Sequence, residues 1–346
     1  MRFSIVIPCY NAANTLKVCL QSIVDQDLQG ADCEIVLVDD CSTDDSLAIA
    51  AEFDCRIIRC ESKKGPGVAR NLGAAAARGE ILAFTDSDCI VPSGWLRRLQ
   101  QHFADDAVQA VFGGYCGTAG DSPMEVFAFL DCLYRQTEMD FHIELSSSSN
   151  FACRKMAFVQ VGGFPLYSLW GNDPEVKPFW GNEDMDIAYL LNEQYGDGLV
   201  WDKDNGVVHH FRSTLVTYAK QQAFFASASM VSLFKYPGLR AANNTEGRTS
   251  AFAQLCSIAP LVGILGVFKW PILVLMPLLS LLGVALANKG FLALLNSEQR
   301  QGYRLRFLCY LVGRNVAWTL GTVRGISWGV GSIFGTQREV VLQSTN

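Results

Sequence analysis

Paired cysteine spacings and basic stripes are missing from this chain of 346 residues, and no signal-like leader is expected in it. Its twelve cysteines, ten of them before residue 154, contain no C-x-x-C spacing, and Cys9, Cys19 and Cys89 fall inside apolar patterns. Reduced cytoplasmic thiols are therefore expected, and neither a disulfide framework nor a zinc site. No Lys/Arg stripe with interleaved aromatics occurs in the first 250 residues and the net charge is −6, so no nucleic-acid partner is expected. The opening run, Arg2 to Ile7, meets Pro8 too soon for a signal sequence, and the N-terminal part is expected to stay in the cytosol. No Pro- or Ser-rich linker and no internal repeat marks a boundary before about residue 245. Charge itself is scarce: 18% of residues are charged against 50% hydrophobic, with a mean hydropathy of +0.18 and the apolar excess beyond about residue 250.

What is present begins with alternating short β-branched runs and helical patterns, the signature of a parallel sheet built from βαβ units. Strands are expected at Phe3 to Ile7, Glu34 to Val38, Arg56 to Arg59, Ile81 to Thr85 and Val108 to Phe112. Leu16, Cys19, Leu20, Ile23 and Val24 recur at helical spacing, Ser42 or Thr43 can cap the helix after the second strand, and Pro66 opens a helix that Gly79 stops. Between residues 120 and 250 the pattern loosens, with a helix expected over 123 to 142, a polar run Ser146 to Asn150, a Gly162-Gly163 turn and a helix from Glu183. Residues 252 to 287 are almost wholly apolar apart from Lys269, Pro271 and Pro277, long enough for one tilted helix or a tight hairpin. Residues 305 to 335 are apolar again but carry Arg306, Arg314 and Arg324, which favours an interfacial or bundle-facing helix. Membrane association is the expectation for this tail; a buried helical domain is the other reading.

In an open sheet ligands gather beyond the carboxyl ends of the strands, so acidic groups placed there are candidates. Asp39 and Asp40 close the second strand, where a carboxylate can accept hydrogen bonds from a base or a ribose; capping the following helix explains them equally well. Asp86-Ser87-Asp88 closes the fourth strand, and two carboxylates at that spacing can reach one hard cation, although a surface loop supplies such a pair easily. Glu183, Asp184 and Asp186 open a helix, as the macrodipole favours, and one of them can serve as a general base. His209 and His210 are adjacent, so alternation sends them to opposite faces and at most one can join the site; a half-buried strand histidine is the simpler alternative.

The order of these signals resembles a known family. Val6 to Asn11, Val38 to Asp44, Gly67 to Gly73, Phe84 to Asp88, Val161 to Phe164, Gly181 to Asp186 and His209 to Arg212 are similar to the successive motifs of family 2 glycosyltransferases, over about residues 3 to 235. The resemblance implies an α/β GT-A fold, a Rossmann-like mostly parallel sheet with flanking helices, followed here by C-terminal apolar helices. It implies a GT-A domain over 1–245, with a nucleotide-binding half over 1–115 and an acceptor half over 116–245, and a hydrophobic helical membrane-associated region over 246–346.

By residue, it implies Pro8 and Tyr10 beneath the nucleotide, Asp40 more than Asp39 reading the base, and Arg70 beside the diphosphate. It further implies Asp88 as principal ligand of Mg2+ or Mn2+, Asp86 nearer the ribose, His209 as third ligand and Asp184 as base of an inverting transfer. Trp180, Glu183 and Gly163 are implied on the acceptor side. Two departures from the family pattern also fall there: Asn182 is inserted before Glu183-Asp184, and Tyr189 stands where an arginine is often found. The implied partners are a nucleotide-diphosphate sugar, UDP- ahead of GDP- or TDP-, and a lipid-linked or glycan acceptor. The implied setting is the inner membrane, with the catalytic domain on the cytoplasmic side. A sugar-phosphate nucleotidyltransferase would instead carry a Gly-rich basic loop after the first strand, where this chain has Pro-Cys-Tyr-Asn-Ala. An inactive membrane-anchored scaffold would not need Asp88, Asp184 and His209.

Overall fold

A computed structural model describes residues 2–26, 32–138, 147–165, 182–236, 282–286, 288–297 and 303–334. The chain divides into two compact units, one made of Met1–Ala119 with Met139–His210, the other of Gly120–Glu138 with Phe211–Gly335.

The first unit is built on an eight-stranded sheet. Its strands are β1 (Arg2–Cys9), β2 (Asp32–Asp39), β3 (Arg56–Arg59), β4 (Ile81–Thr85), β5 (Cys89–Ile90), β6 (Ala110–Thr118), β7 (Asn150–Arg154) and β8 (Leu199–His209), in the order β3-β2-β1-β4-β7-β6-β8-β5. The helices of this unit are α1 (Leu16–Val24), α2 (Ser46–Ala50), α3 (Pro66–Ala76), α4 (Trp95–Phe103), α6 (Lys155–Gln160) and α7 (Glu183–Tyr195), with α5 (Pro123–Glu138) in the other unit.

Strand alternation decides which helix covers which face. Phe3, Ile5 and Ile7 of β1 share one cluster with Leu16, Cys19 and Leu20 of α1 and with Leu96 and Leu99 of α4. Val6, between them, points the other way into a cluster with Phe84, Phe158, Phe164 and Leu191. Gly73 lets α3 lie close on that face, because a Cβ there would run into the Val6 side chain.

The expected sheet was mostly parallel, and β1, β2, β3 and β4 are parallel throughout. The remainder is mixed: β7 runs antiparallel to both β4 and β6, and β5 antiparallel to β8. Side-chain alternation is identical in the two directions, so the pattern that marks a strand carries no sense of its direction.

The second unit is helical, containing α5, α8 (Leu215–Lys235), α9 (Lys289–Ser297) and α10 (Arg304–Phe334). Its core centres on Phe127, whose ring stands 5.4 Å from Phe307, 5.6 Å from Phe291 and 5.8 Å from Tyr218. Within it Asp131 is buried, accepting from Tyr218 Oη at 3.2 Å and Arg135 Nη2 at 3.3 Å and paired also with Arg314. The division therefore does not follow the boundary expected at 245. The apolar faces of α5 and α8 are covered by Phe291, Phe307 and Leu311, which are also part of this unit's core. Among the described residues no helix is long and apolar enough to cross a membrane, and arginines punctuate α10. Of the apolar stretch 252–287, only 282–286 is among the described residues.

Candidate functional site

The carboxyl ends of β1 and β2 are tied together by short polar side chains. Asn11, at φ +50°, accepts at Oδ1 from the Thr43 amide at 2.8 Å, and its own amide donates to Ser42 Oγ at 3.0 Å. The Ala12 amide donates to Ser46 Oγ at 2.8 Å. Asp39 is buried; its Oδ1 accepts from the Ser42 amide at 3.1 Å and its Oδ2 lies 3.8 Å from Arg59 Nε. Asp40 takes the Lys64 amide at 2.7 Å on one oxygen and the Gly65 amide at 2.8 Å on the other. The carboxylate expected to read a base thus also fixes the loop that enters α3. Pro8 is buried in β1, paired with Val38, while Tyr10 beyond it is 43% exposed, with Lys63 Nζ 3.3 Å from its ring centroid.

Arg70 lies on α3 and is almost wholly buried. Its Nη2 donates to Asp86 Oδ1 at 2.6 Å and its Nη1 to Glu183 Oε1 at 3.2 Å, so one guanidinium joins the end of β4 to the first turn of α7. Arg70, expected beside the diphosphate, is buried, with its fork occupied by two carboxylates. Glu183, expected on the acceptor side, is the second of them. Burial pushes its carboxyl up to about 7, the neighbouring Asp184 charge adds to the rise and Arg70 opposes it.

Next to Arg70, Asn71 donates to the Phe164 carbonyl at 2.8 Å and accepts from the Phe164 amide at 2.9 Å. That pair of bonds holds the Gly162-Gly163 turn, where Gly163 has φ +74° and a Cβ would stand 2.7 Å from Asn71 Oδ1. Gly163 is therefore a backbone requirement of this turn.

The two aspartates of Asp86-Ser87-Asp88 part company. Asp86 goes to Arg70, whereas Asp88 stands beside His209, with Oδ1 to Nε2 at 3.4 Å. The ladder between β5 and β8 makes the second meeting, since Cys89 faces His209 and the His210 amide donates to the Asp88 carbonyl at 3.0 Å. Asp88, Cys89 and His209 hold their donor atoms within 4.8 Å of one another. Cys89 is fully buried in the sheet core, which raises its thiol far above the ordinary range, so the carboxylate and the imidazole are the useful ligands. A carboxylate with an imidazole suits a hard or borderline divalent cation. Asp86, expected in the same set, lies outside this cluster. Only His209 of the two histidines joins it, as alternation requires.

Asp184 sits in the first turn of α7, and its Oδ2 accepts from the Ser148 amide at 3.2 Å. The Ser147 and Ser149 hydroxyls and Tyr115 Oη close a triangle at 2.7 to 3.0 Å, and the Tyr115 ring lies 5.2 Å from that of His209. Asn150 anchors the segment by accepting from Trp95 Nε1 at 2.9 Å and donating to the carbonyls of Gly114 and Asn205. The polar run was visible in the sequence, but its partners were not, and nothing marked Tyr115. Trp180 lies outside the described residues.

Residues 4–162 match the family model for glycosyl transferase family 2. The matched stretch takes in Asp39, Asp40, Asp86 and Asp88 at the strand ends, together with Arg70 on α3. The chain is 28% identical over 244 residues to the pre-mycofactocin glycosyltransferase of Mycobacterium tuberculosis, which covers 68% of this chain and 48% of that protein. It is 36% identical over 117 residues to glycosyltransferase GlyG of Streptococcus pneumoniae, covering 32% and 38%. The chain thus spans about half or less of the length of these relatives. Among solved structures, the mannosyltransferase PcManGT of Pyrobaculum calidifontis, in complex with GDP-Man and Mn2+, superposes with a TM-score of 0.51 at 18% identity, covering 92% of this chain and 86% of that one. That likeness establishes a mixed α/β GT-A-like fold with flanking helices, and the relatives are glycosyltransferases.

Proposed function

We propose that this chain is an inverting glycosyltransferase that moves a sugar from a nucleotide-diphosphate sugar, UDP- ahead of GDP- or TDP-, to a hydroxyl of a lipid-linked or glycan acceptor. The observation that carries the reading is the meeting of Asp88 and His209, 121 positions apart, at 3.4 Å on the same rim of the sheet where Asp86 and Glu183 close on Arg70. Asp88 and His209 would hold Mg2+ or Mn2+. When bound there, the cation supplies charge neutralisation for the departing diphosphate.

Asp184 takes the proton from the acceptor hydroxyl as that oxygen forms its bond to the anomeric carbon, while the bond from that carbon to the diphosphate oxygen breaks with its electron pair. The Ser148 amide, donating to Asp184 Oδ2 at 3.2 Å, holds that carboxylate in place. Arg70 acts by orienting Asp86 and Glu183. Tyr10 presents an exposed ring on which a base can stack.

The apolar tail supports an acceptor carried by a membrane, with the catalytic unit on the cytoplasmic side of an inner membrane. A relative named for poly(ribitol-phosphate) glycosylation supports a role in cell-envelope glycan synthesis. The test is hydrolysis and transfer from a panel of nucleotide sugars with Mn2+ or Mg2+. Asp88→Ala should lower metal-dependent donor turnover by about 100-fold or more, on the scale of losing a metal ligand or its supporting shell. Unchanged turnover in that variant would end the metal assignment.

A further inference from the structure

Where α10 meets α8, the second unit carries its polarity the wrong way round for water. α10 meets α8 through small residues: a Cβ on Gly321 or Gly325 would run into the backbone of Ala223 or Ser227, and Ala317 on the same face is buried. Polar side chains turn inward between them. Gln222, Ser227, Ser232 and Asn315 are buried, Ser227 Oγ reaches the Gly321 carbonyl at 2.9 Å and Trp318 Nε1 donates to Gln222 Oε1 at 2.9 Å. Large aliphatic side chains turn outward, with Leu305 71%, Leu320 66% and Val323 63% exposed on α10 and Val216 63% exposed on α8. A helix pair solvated by water buries the large apolar groups and exposes the polar ones. A pair solvated by lipid gains nothing from hiding aliphatic groups, and instead packs through small residues and pairs its polar groups across the interface.

Charge points the same way. From Phe211 to Phe334 the described residues hold eight lysines and arginines, three of them up to Lys235, then Lys289 and four on α10, and neither aspartate nor glutamate, in a chain whose net charge is −6. Arg304 and Arg306 flank Leu305 and Arg324 follows Val323, all of them exposed. Leu305 also borders a cleft of about 520 Å³ lined by Ala285, Leu292 and Leu308, with Lys289 and Arg304 among its walls. Its volume falls in the range of small-ligand pockets, roughly 300–1,000 Å³. An aliphatic cleft with two cations suits an acyl chain that ends in an anionic headgroup.

We propose that the outer face of α8 and α10, together with this cleft, docks the protein onto a bilayer that carries anionic phospholipid. The surface lies in the interface without crossing it, as amphipathic helices with basic flanks do, and no described helix is long and apolar enough to span. This deepens the membrane part of the reading above.

The test is flotation of the full chain with vesicles of phosphatidylcholine alone or mixed with phosphatidylglycerol. The wild type should float with the mixed vesicles, less so as salt rises. Leu320→Glu with Val323→Glu should weaken binding to both kinds about tenfold or more, and Arg304→Gln with Arg306→Gln should weaken binding to the mixed vesicles alone. Melting temperature and donor hydrolysis, which depend on neither pair, should stay at the wild-type level and show that the variants fold. Wild-type protein that does not float, or variants that float as well as it does, would overturn the proposal. So would a wild-type dimer that the two glutamates dissolve while flotation is unchanged, because the face would then belong to a second copy of the chain. Flotation without turnover of any nucleotide sugar would count against the transferase reading alone, and turnover without flotation against the docking surface alone.

Discussion

Arg70 holds one positive charge against two carboxylates in a place water hardly reaches. Replacing it with Met leaves Asp86 and Glu183 facing each other uncompensated, and should cost about 3 kcal/mol in denaturant unfolding, on the scale of breaking a buried pair. Arg70→Lys should recover only part of this, since a single ammonium cannot present two donors in a fixed fork. Glu183 adds a pH dependence whose sign follows from its raised carboxyl. The folded state holds the proton more tightly than an ordinary glutamate at 4.5, so this contribution is complete below 4.5 and is lost as pH rises through about 7. Unfolding measured across that window should show the wild type losing stability relative to Glu183→Gln, on the order of 3 kcal/mol. Equal slopes for the two proteins would remove Glu183 as the cause.

At the scale of elements, the Gly162-Gly163 turn is set by backbone conformation and by one side chain on α3. Gly163→Ala should cost about 1–3 kcal/mol, because φ +74° suits no side chain well and the new Cβ meets Asn71 Oδ1. Asn71→Ala strips both bonds from Phe164 and should cost about as much. The double variant should fall short of the sum, a coupling that thermal melts of all four proteins would reveal. Elements were also where the sequence was most and least legible. The recurrence of Leu16, Cys19, Leu20 and Ile23 located α1 and its buried face, and Asp39 and Thr85 mark strand ends as expected. β7 was not among the expected strands, because only a polar run was read up to Asn150, and alternation could not have given its reversed direction, since it reads alike both ways. The separate fates of Asp86 and Asp88 were hidden too, since they depend on Arg70 and on β8, which the chain reaches only later.

At the scale of the whole molecule, two units with separate cores should melt as two events in calorimetry. A nucleotide sugar with Mn2+ should raise the transition of the sheet unit by about 2.7 kcal/mol of stability at a hundred times its Kd, and leave the helical unit unmoved. A single transition shifted as one would contradict the division.

Residue order and hydrophobic period sufficed to set β1 to β4, β6, α1, α3, the start of α7, the acidic strand ends and the change in character of the chain beyond about residue 250, because each is written within a few neighbouring positions. Pairings between distant residues were left to the tertiary structure: Arg70 with Glu183, Asp88 with His209, the Ser148 amide with Asp184, and the inward polar side chains of α8 and α10. Such contacts depend on which strands become neighbours and which way each runs. That is a matter of packing a closed core, and no local stretch of sequence carries it.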